Sequence, residues 1–313
     1  MPFYTRLLKR SGIIIMLLAL GACSSLNGMV ADFEDRWTDP SAALDQPIGP
    51  TPEELAKEAE AEADVLLYAT EVVSAEDCSA ITEIAPRVLA INSSHIEIRL
   101  AMAECALEAR DLASAKSVFT DVFKRSADPR AERGLGLVAI LDGKYGTGRG
   151  YLSSAAKKLP DDWRSWNGLG FAEDSLQNWA AAEQAYRRAA SLSEANGSAL
   201  NNLAMSYIRQ KKYVDAINIL NAALSKNKGS AVAKLNLRLA HALNGQIGTA
   251  LAGASEKERA VIYNTVGVSA LSDGRREYAR SMFNRALATH PGFYVRAHEN
   301  LERTRFMSLE KEG

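Results

Sequence analysis

The chain has 313 residues, 47% apolar and 24% charged, with 9 prolines and 7% aromatics. That composition excludes a disordered or fibrous chain and suffices for one large core or a long row of repeats. Lys and Arg total 37 against 38 Asp and Glu, a formal charge of −1, so the basic excess of a nucleic-acid binder is missing and no such partner is expected.

Arg6, Lys9 and Arg10 precede the apolar run Gly12 to Leu20, and the small residues Gly21 and Ala22 follow. This is the order of charge, apolar stretch and cleavage site in an export signal, and the run is about half of the ~20 residues that a membrane-spanning helix needs. Leu20-Gly21-Ala22-Cys23 resembles the lipobox of bacterial lipoproteins, which implies cleavage after residue 22 and lipidation of Cys23; an ordinary secretory peptide with a chance Cys is the alternative. Ser24 stands where an Asp would resemble the inner-membrane retention signal, so the family rule implies an outer-membrane anchor, probing the periplasm from a lipid rather than from a transmembrane helix. Without residues 1–22 the balance is 34 basic against 38 acidic side chains, or −4. Residues 23–50, with Pro40, Pro47 and Pro50 and no sustained period, read as a tether that when fully extended would reach roughly 90 Å at about 3.4 Å per residue. Thr51-Pro52-Glu53-Glu54 then carries the cap, proline and reaching-back glutamate of a helix start.

From 51 to 313 the organising feature is a period. Cuts at Pro129, Trp163, Gly197 and Ala231 lie 34 residues apart, and a further block starts at Ala260. The eighth residue of each block is small in Gly136, Gly170, Ala204 and Gly267, with Arg238 the exception; the twentieth is Gly148, Ala182, Ala216, Ala250 and Ala279. The twenty-fourth is bulky in Leu152, Tyr186, Leu220 and Phe283, and the twenty-seventh is Ala155, Ala189, Ala223 and Ala286. Two antiparallel helices approach closely only where small residues face each other and bulky ones fill the gaps beside them.

These residues match the tetratricopeptide repeat (TPR) pattern, which implies an all-α solenoid of helix pairs, about six to seven repeats with a C-terminal capping helix over Phe293–Leu309. The best repeats occupy 129–293. The block at 231–259 is shortened, its second helix expected near Ile247–Ala254, and Ser255-Glu256-Lys257-Glu258 reads as a capping box for the next helix. Ile96–Asp128 fits a weaker repeat through Ala103, Ala115 and Phe119. Residues 51–94 fit loosely, with Ala80 in the small position and Pro86 expected to interrupt the second helix.

No catalytic, metal or cofactor signature stands out, and neither an enzyme nor a small-molecule substrate is expected. The stretch Gly143 to Gly150 lacks phosphate-loop spacing and follows a helix rather than a strand; Gly143 reads as an inter-helix turn and Gly148 as the small position. The four histidines have no ligand spacing, and no nucleophile motif is present. In TPR proteins positions 2, 5, 6, 9, 12 and 13 of the first helix line the concave face. Here they include Asn167, Phe171, Asn201, Asn202, Met205, Ile208, Leu235, Asn236, Leu239, Asn264, Val268 and Leu271. Carboxamides both donate to and accept from a polypeptide backbone, and the apolar residues offer pockets, so this face is the candidate peptide groove; carboxamides satisfying local backbone, with Leu235 and Leu239 packed inward, is the alternative.

Once Cys23 is lipidated, Cys78 and Cys105 remain as an even pair in an oxidising compartment. A turn near 92–94 puts them 14.5 and 12.5 residues away on adjacent antiparallel helices, within about 3 Å in height, which makes a disulfide feasible. Taken together, Ser198 to Ala204, Asn236 to Gly245 and the shortened block after them resemble the pilus-assembly TPR lipoprotein of the tight adherence (Flp pilus) system. The resemblance implies a scaffold with secretin or pilus-assembly components as protein partners. A pilotin of type IV pili, or a subunit of a barrel-assembly or cell-wall machine, is the alternative.

Overall fold

A computed structural model describes residues 52–192 and 197–309. The leader, Cys23, the tether and Thr51 lie outside the described residues. The chain divides into two compact units at Val65/Leu66. Of the first, residues 52–65 are described and lie in α1 (Pro52–Ser74).

The second unit carries α2 (Cys78–Ile91), α3 (Ile96–Glu108), α4 (Leu112–Ser126), α5 (Pro129–Leu141), α6 (Tyr145–Lys158), α7 (Trp163–Ser175) and α8 (Trp179–Leu192). It continues with α9 (Gly197–Arg209), α10 (Tyr213–Lys226), α11 (Ala231–Leu243), α12 (Ile247–Leu251), α13 (Glu256–Ser272), α14 (Arg276–Thr289) and α15 (Val295–Leu309). No strand occurs among the described residues. The architecture is the expected all-α array of helix pairs.

Local chemistry sets the helix ends. Asp77, His95, Asp111, Asp128, Asp162, Ser230 and Ser255 are N-caps whose side chains accept from first-turn amides, replacing partners that the helix itself cannot supply. Ser255 and Glu258 form the full reciprocal capping box. The turns inside the pairs share one device: a left-handed residue at Glu76, Arg110, Gly143, Gln177, Lys211, Gly245 and Gly274. The next amide donates five residues back in every case, from Asp77 to Val72 O through Arg275 to Ala270 O, which closes the first helix of each pair. Glu76 precedes Arg110 by 34 residues, so the loosely matching segment has its turn in register with the others.

Packing follows the small-to-bulky rule. A Cβ built on Gly170 lies 2.7 Å from Tyr186 Cδ1, and one on Gly267 lies 2.5 Å from Phe283 Cε1. The two aromatic side chains are fully buried. Gly148 faces Ile140 and the Gly136 carbonyl, as expected of the small position. Each first helix also touches the next first helix, in the series α3, α5, α7, α9, α11, α13 and α15, whereas the second helices α4, α6, α8, α10 and α14 have no such mutual contacts. Within this unit the first helices therefore line the inner, concave face. On α15, Ala297, Leu301 and Thr304 are buried, and Leu301 closes the Ala270, Ala279, Phe283 cluster.

Two expectations need correction, and the one exception in the small position has a structural reason. Pro86 does not interrupt α2, which runs unbroken from Cys78 to Ile91. The proline removes the amide that would reach the Thr82 carbonyl, and both residues face solvent, where water can serve that carbonyl. The second helix of the short block ends at Leu251 rather than near Ala254. Arg238, the exception in the small position, donates to Ala250 O (2.9 Å) and Ala252 O (2.6 Å). With only 5 residues in α12 no bulky twenty-fourth residue requires a small partner, and the guanidinium fills the space while capping the helix end.

Candidate functional site

The concave face has two regions of different chemistry. Its C-terminal part holds the carboxamides singled out from the sequence, and they are bonded from repeat to repeat, with Asn300, which the sequence reading did not name, as the partner of Asn264. Asn202 Nδ2 donates to Asn167 Oδ1 at 3.0 Å, Asn236 Nδ2 to Asn201 Oδ1 at 2.8 Å, and Asn300 Nδ2 to Asn264 Oδ1 at 3.0 Å. Each bond joins position 5 of one first helix to position 6 of the next. All six side chains are half-buried. One bond uses one of two N–H groups on the donor and one of two lone pairs on the acceptor, so every pair keeps hydrogen-bonding capacity. The sequence placed these residues on the right face but not against each other, because the pairing depends on the offset between stacked helices.

Position 9 supplies the apolar series Phe171, Met205, Leu239 and Val268. Phe171 and Val268 are exposed, and Met205 is half-buried. Phe171 stands 6.4 Å from the Tyr145 ring, tilted. Leu239 instead packs on the Ala242, Ala250, Ile262 cluster, so it serves the core beside the short repeat. Three residues after Phe171 in α7, Asp174 is buried at 2% exposure, receives the Ser206 hydroxyl at 2.7 Å and pairs with Arg209. That polar tie locks α7 to α9. Burial presses the Arg209 guanidinium's affinity for its proton downward.

The N-terminal part is charged, and the sequence reading did not single it out. Arg130 bonds both Glu97 oxygens (2.7 and 2.8 Å) and Asp128 (2.7 Å). Arg133, 8% exposed, joins Glu104 and Asp162. Arg164 reaches Glu76 at 3.1 Å. Glu97, Glu104 and Glu108 are positions 2, 9 and 13 of the block from Ile96, Arg130 and Arg133 are positions 2 and 5 of the next, and Arg164 is position 2 of the one after. The rule that found the asparagines finds this region when applied to the weaker repeat. Desolvation alone would weaken proton binding at Arg133, but the charges of Glu104 and Asp162 outweigh it and raise its pKa. Burial pushes Asp162 the other way, yet Arg133 and the Ser165 bonds hold it below the usual carboxylate range. The hydrogen bonds that Arg130 donates to Asp128 and Glu97 strengthen its hold on its proton.

Beside this network the Cys78 and Cys105 sulfurs are bonded at 2.11 Å, with their Cα atoms 5.4 Å apart, tying the start of α2 to the last turn of α3. Both lie on the wall of a cavity of about 300 Å³. Among the described residues no group of three or more His, Cys, Asp or Glu is gathered as a metal set.

Comparison with known sequences agrees with this geometry. Tetratricopeptide repeat family profiles match residues 142–199 and 175–239. The chain has the all-α tetratricopeptide repeat fold. A stretch of 111 residues is 31% identical to the tetratricopeptide repeat-containing protein trd-1 of Caenorhabditis elegans, covering 35% of this chain and 14% of that one. Among solved structures, the APC/C hetero-tetramer Cut9-Hcn1 is similar with a TM-score of 0.55 and 16% identity, over 76% of this chain and 48% of that one. A tetratricopeptide repeat protein from Parabacteroides merdae gives 0.53 and 14%, over 79% and 99%. PilW, described as a widely conserved type IV pilus biogenesis factor, gives 0.54 and 15%, over 61% and 89%. The chain thus spans a small part of the worm protein and about half of the Cut9 complex chain, and at these structural identities the likeness is one of fold.

Proposed function

We propose that this TPR protein is a non-enzymatic scaffold, held at the outer membrane by lipid on Cys23, that binds protein partners on its concave face during assembly of a tight adherence pilus machine. The observation that carries the binding reading is the concave row of paired carboxamides with unspent hydrogen-bonding capacity beside exposed Phe171 and Val268. Backbone-capable polar groups interleaved with apolar contacts suit an extended polypeptide, and solenoids use such surfaces for long contacts. The envelope assignment is supported by the lipobox-like Leu20 to Cys23 and by the resemblance of Ser198 to Ala204 and Asn236 to Gly245 to the Flp pilus lipoprotein. Fold likeness to PilW favours, as a second reading, a role in type IV pilus biogenesis.

Co-purification from detergent-solubilised outer membranes tests the proposal. The expected companions are a secretin or pilus-assembly proteins, lost when Phe171 is replaced by Ser. Cys23→Ser should abolish acyl labelling and move the protein out of the membrane fraction; unchanged labelling and fractionation would refute the anchor.

A further inference from the structure

The cavity of about 300 Å³ in the N-terminal repeats is unlike the rest of the concave face. Its apolar lining is Val73, Ile81, Leu100 and Ala101, with the disulfide beside them. Its three guanidinium groups are all engaged by carboxylates: Arg130 by Glu97 and Asp128, Arg133 by Glu104 and Asp162, Arg164 by Glu76. Glu108 also lines the cavity, and among the described residues no cation pairs with it. Its contact there is with the Cys78 sulfur, 3.6 Å from Oε2, which in the disulfide carries no hydrogen to donate.

That placement is unfavourable to α3 itself. Glu108 is the last residue of the helix, where the unsatisfied carbonyls carry negative partial charge and an anion is destabilising. The network around the cavity is net negative, and Glu108 is its exposed carboxylate that no cation engages among the described residues, set beside an apolar lining. A long basic side chain matches both features, since its methylene stem covers apolar surface while its head keeps to a charged, wet rim. Resting on the reading of the concave face as a partner surface, we propose that this cavity seats an arginine or lysine side chain of the bound polypeptide, with Glu108 as the carboxylate that takes its charge. The apolar and carboxamide region toward α13 then holds the flanking segment, so the preferred partner presents a basic residue at one end of an extended stretch. The disulfide keeps α2 and α3 at the separation that forms the cavity walls.

The test uses the purified full chain, unreduced, and three short dye-labelled peptides that differ at one residue: arginine, its uncharged isostere citrulline, or glutamate. Fluorescence anisotropy should show the arginine peptide binding about tenfold more tightly than the citrulline peptide, as expected when one charge-assisted hydrogen bond replaces a neutral one, with the glutamate peptide weakest. Glu108→Gln should erase the arginine preference without lowering the melting temperature, because it relieves the charge at the end of α3. Equal binding of arginine and citrulline peptides, or a preference that survives Glu108→Gln, overturns the proposal. In that case partner capture that still depends on Phe171 leaves the scaffold reading standing, whereas loss of peptide binding altogether together with capture indifferent to Phe171 removes both.

Discussion

The same substitution, glycine to alanine, should have opposite signs in the adjacent helices α6 and α7. Gly146 and Gly150 lie on the exposed face of α6, and a Cβ built on either meets nothing within 4 Å. Alanine there only removes the backbone freedom of glycine, worth about 0.5–1 kcal/mol per site, so Gly146→Ala with Gly150→Ala should stabilise by about 1–2 kcal/mol. Gly170 in α7 is the reverse. Its Cβ would sit 2.7, 2.8 and 2.9 Å from three atoms of the Tyr186 ring, which is 1% exposed and has no empty side to move into. Overpacking costs about 1–3 kcal/mol and exceeds the helix-propensity gain, for a net loss of roughly 1–2 kcal/mol. Urea unfolding followed by circular dichroism, with amide exchange read separately over α6 and α7, measures both because repeats unfold in part independently. Stabilisation by Gly170→Ala, or destabilisation by the α6 pair, would refute the account of which glycines are packing sites.

Replacing Cys78 and Cys105 by Ser should lower stability by about 3.5 kcal/mol in the chain-entropy model, from the 27-residue separation they close, seen as faster amide exchange in α2 and α3. Arg238→Ala should fray α12 and cost about 1–3 kcal/mol, because the Ala250 and Ala252 carbonyls lose their donor; exchange over residues 247–254 reads it. Asp128 and Asp162 have pKa values below their ordinary ones despite burial, which acts upward: hydrogen bonds from Arg130 hold Asp128 down, and the Arg133 charge with the Ser165 bonds does the same for Asp162. Their stabilisation is therefore complete above the unfolded carboxylate value of about 3.9 and is lost as pH falls through the lower folded values. Melting temperature should accordingly drop below about pH 4, and drop less in Asp128→Asn and Asp162→Asn variants measured against their own neutral-pH values.

The repeat register was legible because it rests on local steric needs. Gly170 against Tyr186 and Gly267 against Phe283 are short-range pairings within one helix hairpin, and their spacing survives in the letters of the chain. The capping box at Ser255 and the Cys78–Cys105 height match were legible for the same reason, since helix rise converts residue counts into distance. Pro86 misled because a proline's cost depends on whether the freed carbonyl sees water, which sequence spacing does not state. Arg238 stands as an exception in the letters because the carbonyls it serves belong to a helix of only 5 residues, whose length the repeat spacing does not fix. The asparagine pairs and the Glu108 cavity depend on how one repeat is offset on the next, a relation between residues roughly 30–36 apart that helix periodicity leaves open.

The central claim, that the concave face holds a polypeptide partner, is tested most directly by photo-crosslinking in intact cells from three positions. A photoreactive residue at Phe171 or Val268, both exposed on the first helices, should give adducts with a pilus-machine protein; one at Asn284, exposed on the second helix α14, should not. Adducts from Asn284 with none from Phe171 and Val268 would contradict the account and move the binding surface to the opposite face.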